Sequence, residues 1–235
     1  TLSMARGEDL QVLVEGDLDM SSSASELTTE PTSLFNKLSL HATGAINFDA
    51  QLVLNSGILE LSSETAAVAI GANTQIDLSG IDLQWRDVDM HTMGGYLRID
   101  ALTDITFAQQ VSADYFIDVS GYSDQAAGGL ELTARQGSVV LGGAGFTAIN
   151  NNSSAADLFV SSHTQLASDD LATLITLNNN YGFDREFFLN ASDQWDIALT
   201  ADQQLDAERI ILASLADVRI AGTLNLVADN PYLGV

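Results

Sequence analysis

The sequence has no cysteine, a single lysine and only two prolines among its 235 residues. Without cysteine, the chain can form neither a disulfide framework nor a thiolate metal site, and a cysteine nucleophile is excluded. The scarcity of proline, together with a hydrophobic content of 46%, excludes a disordered or collagen-like chain. No apolar run approaches the roughly 18 residues that a membrane-spanning helix needs, so we expect no membrane insertion.

Positive charge is also scarce, because 8 basic residues accompany 32 acidic ones and the formal net charge is −24. We therefore do not expect nucleic acids or anionic membrane surfaces as partners, since phosphate contacts require clustered Lys and Arg. We interpret the acidity as a solvated outer face. The alternative is that some carboxylates recruit a divalent cation such as Ca²⁺, although the sequence contains no calcium-binding nonapeptide or EF-hand loop.

What the sequence does contain is internal repetition. Residues 70–80 read IGANTQIDLSG and residues 111–121 read VSADYFIDVSG, so Ala, Ile, Asp, Ser and Gly recur at a constant offset of 41 residues. A second pattern begins with Gly, alternates apolar and polar residues and ends on a small residue. It recurs as GAINFDA, GYLRIDA, GLELTA and GTLNLVA.

The alternation has a period of two, which predicts short strands with one apolar face. Such a strand buries its apolar face only by stacking on another copy, so the repetition predicts an all-β fold, a parallel β-helix. We expect Ile76 to lie over Ile117 and Leu97 over Leu130, all facing inward. The offset of 41 would correspond to roughly two rungs of about 20 residues, and the chain to about ten rungs.

The repeats resemble those of filamentous-haemagglutinin-type exoproteins, which are large secreted proteins of Gram-negative bacteria. The resemblance rests on Ile-Asp-Leu/Val-Ser-Gly, a variable loop, Gly-Gly, a strand such as LELTA, and then VVL or ITF. It covers residues 38–141 well and residues 205–228 moderately. It implies a right-handed parallel β-helix in an extracellular or surface-attached shaft. Residues 1–235 would then be a single β-helix segment of a longer chain.

Residues 150–193 break the repeat pattern and are predicted to form an irregular excursion from the rungs. This stretch contains Tyr181, Phe183 and Arg185, which we take as a candidate contact surface for a glycan or a cell-surface protein. The alternative is that a short helix or strand forms at residues 169–177 and that the aromatic side chains fill the solenoid core.

A candidate metal site lies at Asp87, Asp89 and His91, because residues two apart on a strand project from the same face. Carboxylate and imidazole groups together can hold a divalent cation. The competing interpretation is an acidic outer face that produces the same alternation without binding metal.

Motifs for catalysis are scarce. Asp169 and Asp170 form the only adjacent pair of aspartates, and the three histidines stand outside any recognisable triad motif. We therefore expect a non-catalytic structural or adhesive shaft that associates end to end or into fibres. The alternative is a β-helical carbohydrate-active enzyme or a tailspike-like glycan-binding protein.

Overall fold

A computed structural model describes the chain over residues 9–20, 26–28, 36–85, 87–109, 117–142, 145–149 and 155–226. Within these ranges, short strands dominate and one helix is present. The first strands are β1 Asp9–Val14, β2 Leu18–Asp19, β3 Glu26–Thr28, β4 Lys37–Ala42, β5 Ile46–Phe48, β6 Gln51–Val53, β7 Ile58–Ser63, β8 Val68–Ile70, β9 Gln75–Asp77, β10 Asp82–Trp85, β11 Val88–His91 and β12 Tyr96–Ala101. They are followed by β13 Ile105–Phe107, β14 Ile117–Asp118, β15 Gly129–Ala134, β16 Val139–Val140, β17 Phe146–Thr147, β18 Asp157–Ser162, α1 Ser168–Asn180, β19 Glu186–Ala191, β20 Ile197–Leu199, β21 Gln204–Ala207, β22 Arg209–Ser214, β23 Val218–Ile220 and β24 Thr223–Leu226.

The strands form three parallel sheets that the chain visits in turn. In the described residues, sheet A has eight strands in the order β1-β4-β7-β12-β15-β18-β19-β22. Sheet B has the order β16-β13-β8-β5-β2 and sheet C the order β17-β14-β9-β6-β3. Two further parallel pairs, β20-β23 and β21-β24, follow near the end of the described chain. This arrangement is an all-β parallel β-helix, as the sequence predicts, and right-handed crossovers are the rule for parallel strands.

The apolar side of each strand faces a continuous core. In β7, for example, Leu59 and Leu61 are almost fully buried while Glu60 between them points outward. Each such Leu or Ile contributes about 1.5–3 kcal/mol by burial. Across the corner between sheets, Phe107 packs edge-on against Phe146 with ring centroids 5.2 Å apart.

The predicted equivalences hold at the level of single residues. Ile76 pairs with Ile117 in neighbouring strands of sheet C, and Leu97 pairs with Leu130 in sheet A. All four side chains are buried. The predicted rung length is wrong, however, because an offset of 41 residues joins adjacent strands and is therefore one rung.

The rungs differ in length because loops are inserted between the strands. Ser39 and Glu60 face each other across neighbouring strands 21 residues apart, whereas Glu60 and Arg98 are neighbours at a separation of 38. The longer rung contains the antiparallel hairpin β10-β11, which lies outside the three sheets. Sheet A therefore contains eight rungs in the described residues, whereas the sequence predicts about ten rungs for the chain.

The repeated Ile-Asp-x-Ser-Gly motif forms a corner of the solenoid. Asp77 Oδ1 accepts hydrogen bonds from the backbone N–H and the hydroxyl of Ser79, at 2.9 and 2.6 Å. Asp118 accepts the Ser120 N–H at 2.8 Å in the equivalent position. This local bonding is typical of Asx turns. The following Gly80 has no room for a side chain, because a Cβ atom there would lie 2.1 Å from the Thr92 carbonyl oxygen.

Residues 150–193 are more regular than the sequence predicts. β18 and β19 lie in this stretch and pair in register within sheet A, with Leu158 opposite Phe187 and Val160 opposite Leu189. The departure from the rungs is α1, which follows β18 where sheets B and C would otherwise continue. The alternative interpretation of a short helix near residues 169–177 is confirmed.

Polar side chains join α1 to the strands above and below it. Asp170 is buried, and its Oδ1 accepts the N–H of Leu141, just after β16, at 2.7 Å. Asn178 is also buried and bonds to the backbone of Asp206 in β21. The helix therefore satisfies backbone groups that a strand would satisfy elsewhere in the stack.

Candidate functional site

Sheet A presents a continuous outer face, because alternate residues of its six-residue strands point away from the core. The central outward column runs across all eight described strands. From the first strand to the last it contains Gln11, Ser39, Glu60, Arg98, Glu131, Phe159, Phe188 and Ile211. The part from Ser39 to Glu131 is called the charged half below, and the part from Phe159 to Ile211 the apolar half.

In the charged half, the carboxylates are paired with cations. Arg98 lies between Glu60 and Glu131, with its Nη1 3.3 Å from the first and its Nε 3.2 Å from the second. Lys37 Nζ lies 2.9 Å from Glu60, and the Ser39 hydroxyl donates a 3.0 Å hydrogen bond to the same carboxylate. These contacts form a ladder of alternating charge across four rungs.

An open groove of about 350 Å³ runs along the charged half. Its polar lining is Glu60, Ser62, Arg98, Asp100, Glu131 and Thr133. Burial acts to raise the pKa of Glu60, but hydrogen bonds from Lys37 and Ser39 and the nearby charges outweigh it, so this pKa is lowered. A general acid for glycoside hydrolysis needs a raised pKa, so Glu60 is poorly suited to that role.

The apolar half consists of half-buried side chains on the outside of the sheet. The rings of Phe159 and Phe188 lie with centroids 5.8 Å apart at an angle of 37°. Ile211 continues the column in β22. Neighbouring aromatic rings at a surface supply apolar contact area with few rotatable bonds. Sequence reasoning missed this pair, although each Phe stands at the third position of a six-residue strand, where side chains point outward.

Beside the apolar half, a polar cluster joins three levels of the stack. Arg185 donates from its Nε to Asp157 at 2.6 Å, and its terminal nitrogen contacts the second oxygen of the same carboxylate and the Tyr96 hydroxyl. Tyr96 in turn donates to Asp157 at 3.0 Å. The Asp157 hydrogen bonds raise the pKa of Arg185, while burial followed by the charge of Asp157 raises the pKa of Tyr96. The cluster holds Arg185 charged and fixed.

Of the residues predicted to form a contact surface, Phe183 lies in the core, whereas Tyr181 and Arg185 are half-buried. Phe183 is fully buried in the core, because the chain turns inward after α1. Tyr181 is half-buried, packs against the core and accepts the N–H of Ala148 through its carbonyl. Arg185 is engaged with Asp157 and Tyr96. The alternative interpretation, that aromatic residues of this stretch fill the core, is therefore confirmed for Phe183.

The candidate metal ligands Asp87, Asp89 and His91 are not brought together. Asp87 lies in the turn of the hairpin, whereas Asp89 and His91 lie on β11. The His91 ring faces Asp82 at 3.8 Å and Asp124 at 3.5 Å. In the part of the chain that the structure describes, no group of three or more His, Asp or Glu side chains has the geometry to hold a metal ion.

The adjacent aspartates Asp169 and Asp170 point to different surroundings. Both lie in the first turn of α1, where a negative charge is favourable beside the helix N-terminus. Asp170 is committed to its hydrogen bond with Leu141, while Asp169 is exposed. The pair therefore does not form two carboxylates facing a shared substrate position. Asp170 alone joins α1 to the end of β16 in sheet B.

Comparisons with protein-family models, with curated proteins and with solved structures found no match. Among the described residues, no helix is long and apolar enough to cross a membrane. The molecule is thus defined by its architecture, which is a parallel β-helix with a charged half and an apolar half on the outer face of sheet A.

Proposed function

We propose that this chain is a non-catalytic length of shaft in a large secreted bacterial surface protein. The outer face of sheet A is its contact surface, and a surface glycan is the ligand. The extracellular location rests on the resemblance of residues 38–141 to filamentous-haemagglutinin-type repeats.

The proposal rests on the constant register of sheet A. Its eight described strands pair in the same way although their outward-facing residues differ greatly. Each strand has six residues and pairs with its neighbour over its whole length. A stack of this kind adds length with nearly constant local interactions and leaves the outward positions free to vary. That property is what a shaft needs, and it requires no reactive side chain.

The chemistry of the outer face supports a binding role. Glu60 and Glu131 are each paired with Arg98, and the lowered pKa of Glu60 opposes proton donation. In contrast, the Phe159 and Phe188 rings offer apolar faces to sugar rings, and the adjoining groove offers charged hydrogen-bonding groups to hydroxyls. Aromatic surfaces flanked by polar groups are favourable contact sites.

The proposal is tested by a glycan array probed with the wild-type chain and with a Phe159→Ser, Phe188→Ser double variant. We expect binding by the wild type, loss of binding by the double variant, and no release of new reducing ends from any bound polysaccharide. The matched control is Leu13→Ser, because Leu13 also faces outward from sheet A and is 67% exposed but lies on the first described strand, in the outward column beside the central one.

Two outcomes would contradict the proposal. Turnover of a polysaccharide that disappears in Glu131→Gln would identify an enzyme acting in the groove. Binding to cells that persists after removal of their glycans, and is lost in the double variant, would assign the same face to a protein ligand.

A further inference from the structure

The antiparallel hairpin β10-β11, inserted between β9 of sheet C and β12 of sheet A, has one apolar face. Residues directly opposite each other in such a pair share a face, so Leu83 lies beside Met90 and the alternate pairs are polar. In the described part of residues 36–207, the exposed large apolar side chains are Val88, Met90, Met93, Val140 and Ile149. The first three lie on or shortly after β11 and are 55%, 47% and 50% exposed. The hairpin therefore carries the main exposed apolar surface of these rungs.

The base of the hairpin is fixed to the solenoid. Thr92, which follows β11, is buried, and its hydroxyl shares a 2.6 Å hydrogen bond with the Ser56 hydroxyl. Its carbonyl oxygen accepts the Tyr122 N–H at 3.0 Å. On the polar face of the hairpin, the ring centroids of His91 and Tyr122 are 5.0 Å apart, and His91 Nδ1 lies 3.5 Å from Asp124 Oδ1. The loop after β14 thus lies against the polar face near the base, and the apolar face is left open.

The outer edge of β11 is also open. The Thr92 N–H donates to the carbonyl oxygen of Ile81, the residue opposite it, at 3.1 Å. Bonded and non-bonded pairs alternate in an antiparallel ladder, so Met90 bonds inward, whereas the backbone groups of Asp89 and His91 point away from β10. In the part of the chain that the structure describes, no third strand pairs with either edge of the hairpin. Two strands alone are marginally stable in water, and an open edge is a site for strand addition.

We propose that β11 pairs antiparallel with β11 of a second copy of this chain, about a two-fold axis at Met90, so that the two hairpins form one four-stranded sheet. Met90 then lies opposite its own copy, Asp89 lies opposite His91, and Val88 lies opposite Thr92. The outward backbone groups of Asp89 and His91 bond to one another across the axis. The contact is isologous and closes at a dimer. It uses no outward-facing residue of sheet A and is independent of the proposed glycan surface.

The residues of β11 favour this register and a second copy as the occupant. An axis at Asp89 would place two carboxylates directly opposite each other, which is destabilising. An axis between Asp89 and Met90 would place Val88 opposite His91 and mix the two faces. The axis at Met90 avoids both and opposes a carboxylate to an imidazole, which matters for self-contact in a chain of net charge −24. The edge of β10 offers less apolar area, because Leu83 is half-buried.

Cysteine cross-linking tests the register directly, because the chain has no cysteine of its own. Met90 and its copy form a non-bonded pair, whose Cα atoms lie about 4.5 Å apart, within the range that a disulfide spans. We expect Met90→Cys to form a covalent dimer on mild oxidation at low protein concentration. Val88→Cys is the matched control, because Val88 shares the face and is more exposed, but its two copies lie about 13 Å apart along the strands. The control should cross-link about tenfold more slowly or less.

Proline variants test the backbone pairing. In sedimentation at about 0.15 M salt, the wild-type chain should show an equilibrium between monomer and dimer. Asp89→Pro removes an N–H that points to the free edge, where proline is tolerated, so the hairpin is retained and the dimer is weakened by about tenfold or more. Gln84→Pro is the matched control, since Gln84 lies opposite Asp89 and its N–H points to the outer edge of β10. It should leave the dimer unchanged. Circular dichroism shows whether each variant retains the fold.

Several outcomes overturn the proposal. A wild type that stays monomeric at every concentration does so, as do oligomers that grow beyond the dimer. Equal cross-linking of Met90→Cys and Val88→Cys would indicate random collision. Weakening by Gln84→Pro and not by Asp89→Pro would assign the contact to β10. If proline unfolds the hairpin, the cross-linking comparison alone decides, because it changes one exposed side chain at a time.

Discussion

Asn178 and Asp206 are joined by two hydrogen bonds in opposite directions. Asn178 Nδ2 donates to the Asp206 carbonyl oxygen at 2.8 Å, and Asn178 Oδ1 accepts the Asp206 N–H at the same distance. Nδ2 also donates to the Phe183 carbonyl at 2.7 Å. The side-chain amide thus presents to β21 the donor and acceptor that a neighbouring strand would present. Together with the bond of Asp170 to the Leu141 N–H, these bonds join the helix to levels of the solenoid where a strand is expected.

We expect Asn178→Ala to lower the free energy of unfolding by about 2–3 kcal/mol, because it leaves buried backbone groups without partners. Asn179→Ala is the matched control, since Asn179 makes one exposed hydrogen bond to Gln204 and its loss costs under about 1 kcal/mol. Urea unfolding followed by circular dichroism measures both. Equal effects of the two variants would contradict the role assigned to Asn178.

The core stack predicts a large cost for changes at Ile117, which is fully buried between Ile76 and Phe146. Ile117→Ala should cost about 2–5 kcal/mol through the cavity that it leaves. Ile117→Asp should prevent folding, because the buried charge has no partner. Val140→Asp is the control, since Val140 faces outward and is 38% exposed. A wild-type melting temperature for Ile117→Asp would refute the stacked arrangement.

The pH dependence of stability should have opposite signs at two carboxylates. Burial raises the pKa of Asp118, so its favourable contribution is present at low pH and is lost as the pH rises through the folded-state pKa. Asp118→Asn retains an acceptor for the Ser120 N–H and removes the charge. We therefore expect this variant to be at least as stable as the wild type at pH 7, with the difference vanishing below the ordinary aspartate pKa of 3.8.

Glu60 supplies the comparison, because its pKa is lowered. Its contribution is present above the ordinary pKa of 4.5 and is lost as the pH falls through the folded-state value. Glu60→Gln should therefore be less stable than the wild type at pH 7 and converge with it in acid. Thermal melts of Asp118→Asn, Glu60→Gln and the wild type between about pH 3 and pH 7 measure both stability differences. If both variants were less stable than the wild type at pH 7, or both more stable, the opposite pKa shifts of the two carboxylates would be contradicted.

Added salt should stabilise the fold, since a net charge of −24 produces self-repulsion that ions screen. Ca²⁺ or Zn²⁺ should add nothing beyond sodium chloride at matched ionic strength, because His91 faces Asp82 and Asp124 and is not grouped with Asp87 and Asp89. The measurement is the melting temperature in each salt. An excess stabilisation by Zn²⁺ that Asp89→Asn removes would establish the metal site after all.

The sequence was a good guide where strand and repeat signals coincide. The period-two alternation and the copy at an offset of 41 correctly predict the parallel stack and the facing pair Ile76 and Ile117. These features are local, because a strand's two faces and its equivalence to another copy can both be recognised in a few residues. The number of rungs cannot be recognised in a few residues. Inserted loops such as the hairpin β10-β11 change the number of residues per rung without changing how the strands stack.

The site was harder to predict than the fold, for a physical reason. β18 and β19 read DLFVSS and EFFLNA, and their outward Phe residues disguise the alternation that marks other strands. The sequence leaves Phe183 open to a contact surface or to the solenoid core, and the turn after α1 directs it into the core. Exposure depends on which rungs lie above and below a residue, and no short sequence window contains that information.

The position of α1 has a mechanical consequence. Between β18 and β19, sheets B and C give way to the helix, and in the described residues sheet A alone runs past this level without interruption. Tension along the solenoid axis is shared by three sheets in the rungs before the helix. At the helix it passes through the β18-β19 pairing, through backbone hydrogen bonds of the flanking loops, and through side-chain bonds that include those of Asp170 and Asn178. We therefore expect the molecule under load to extend first at this level.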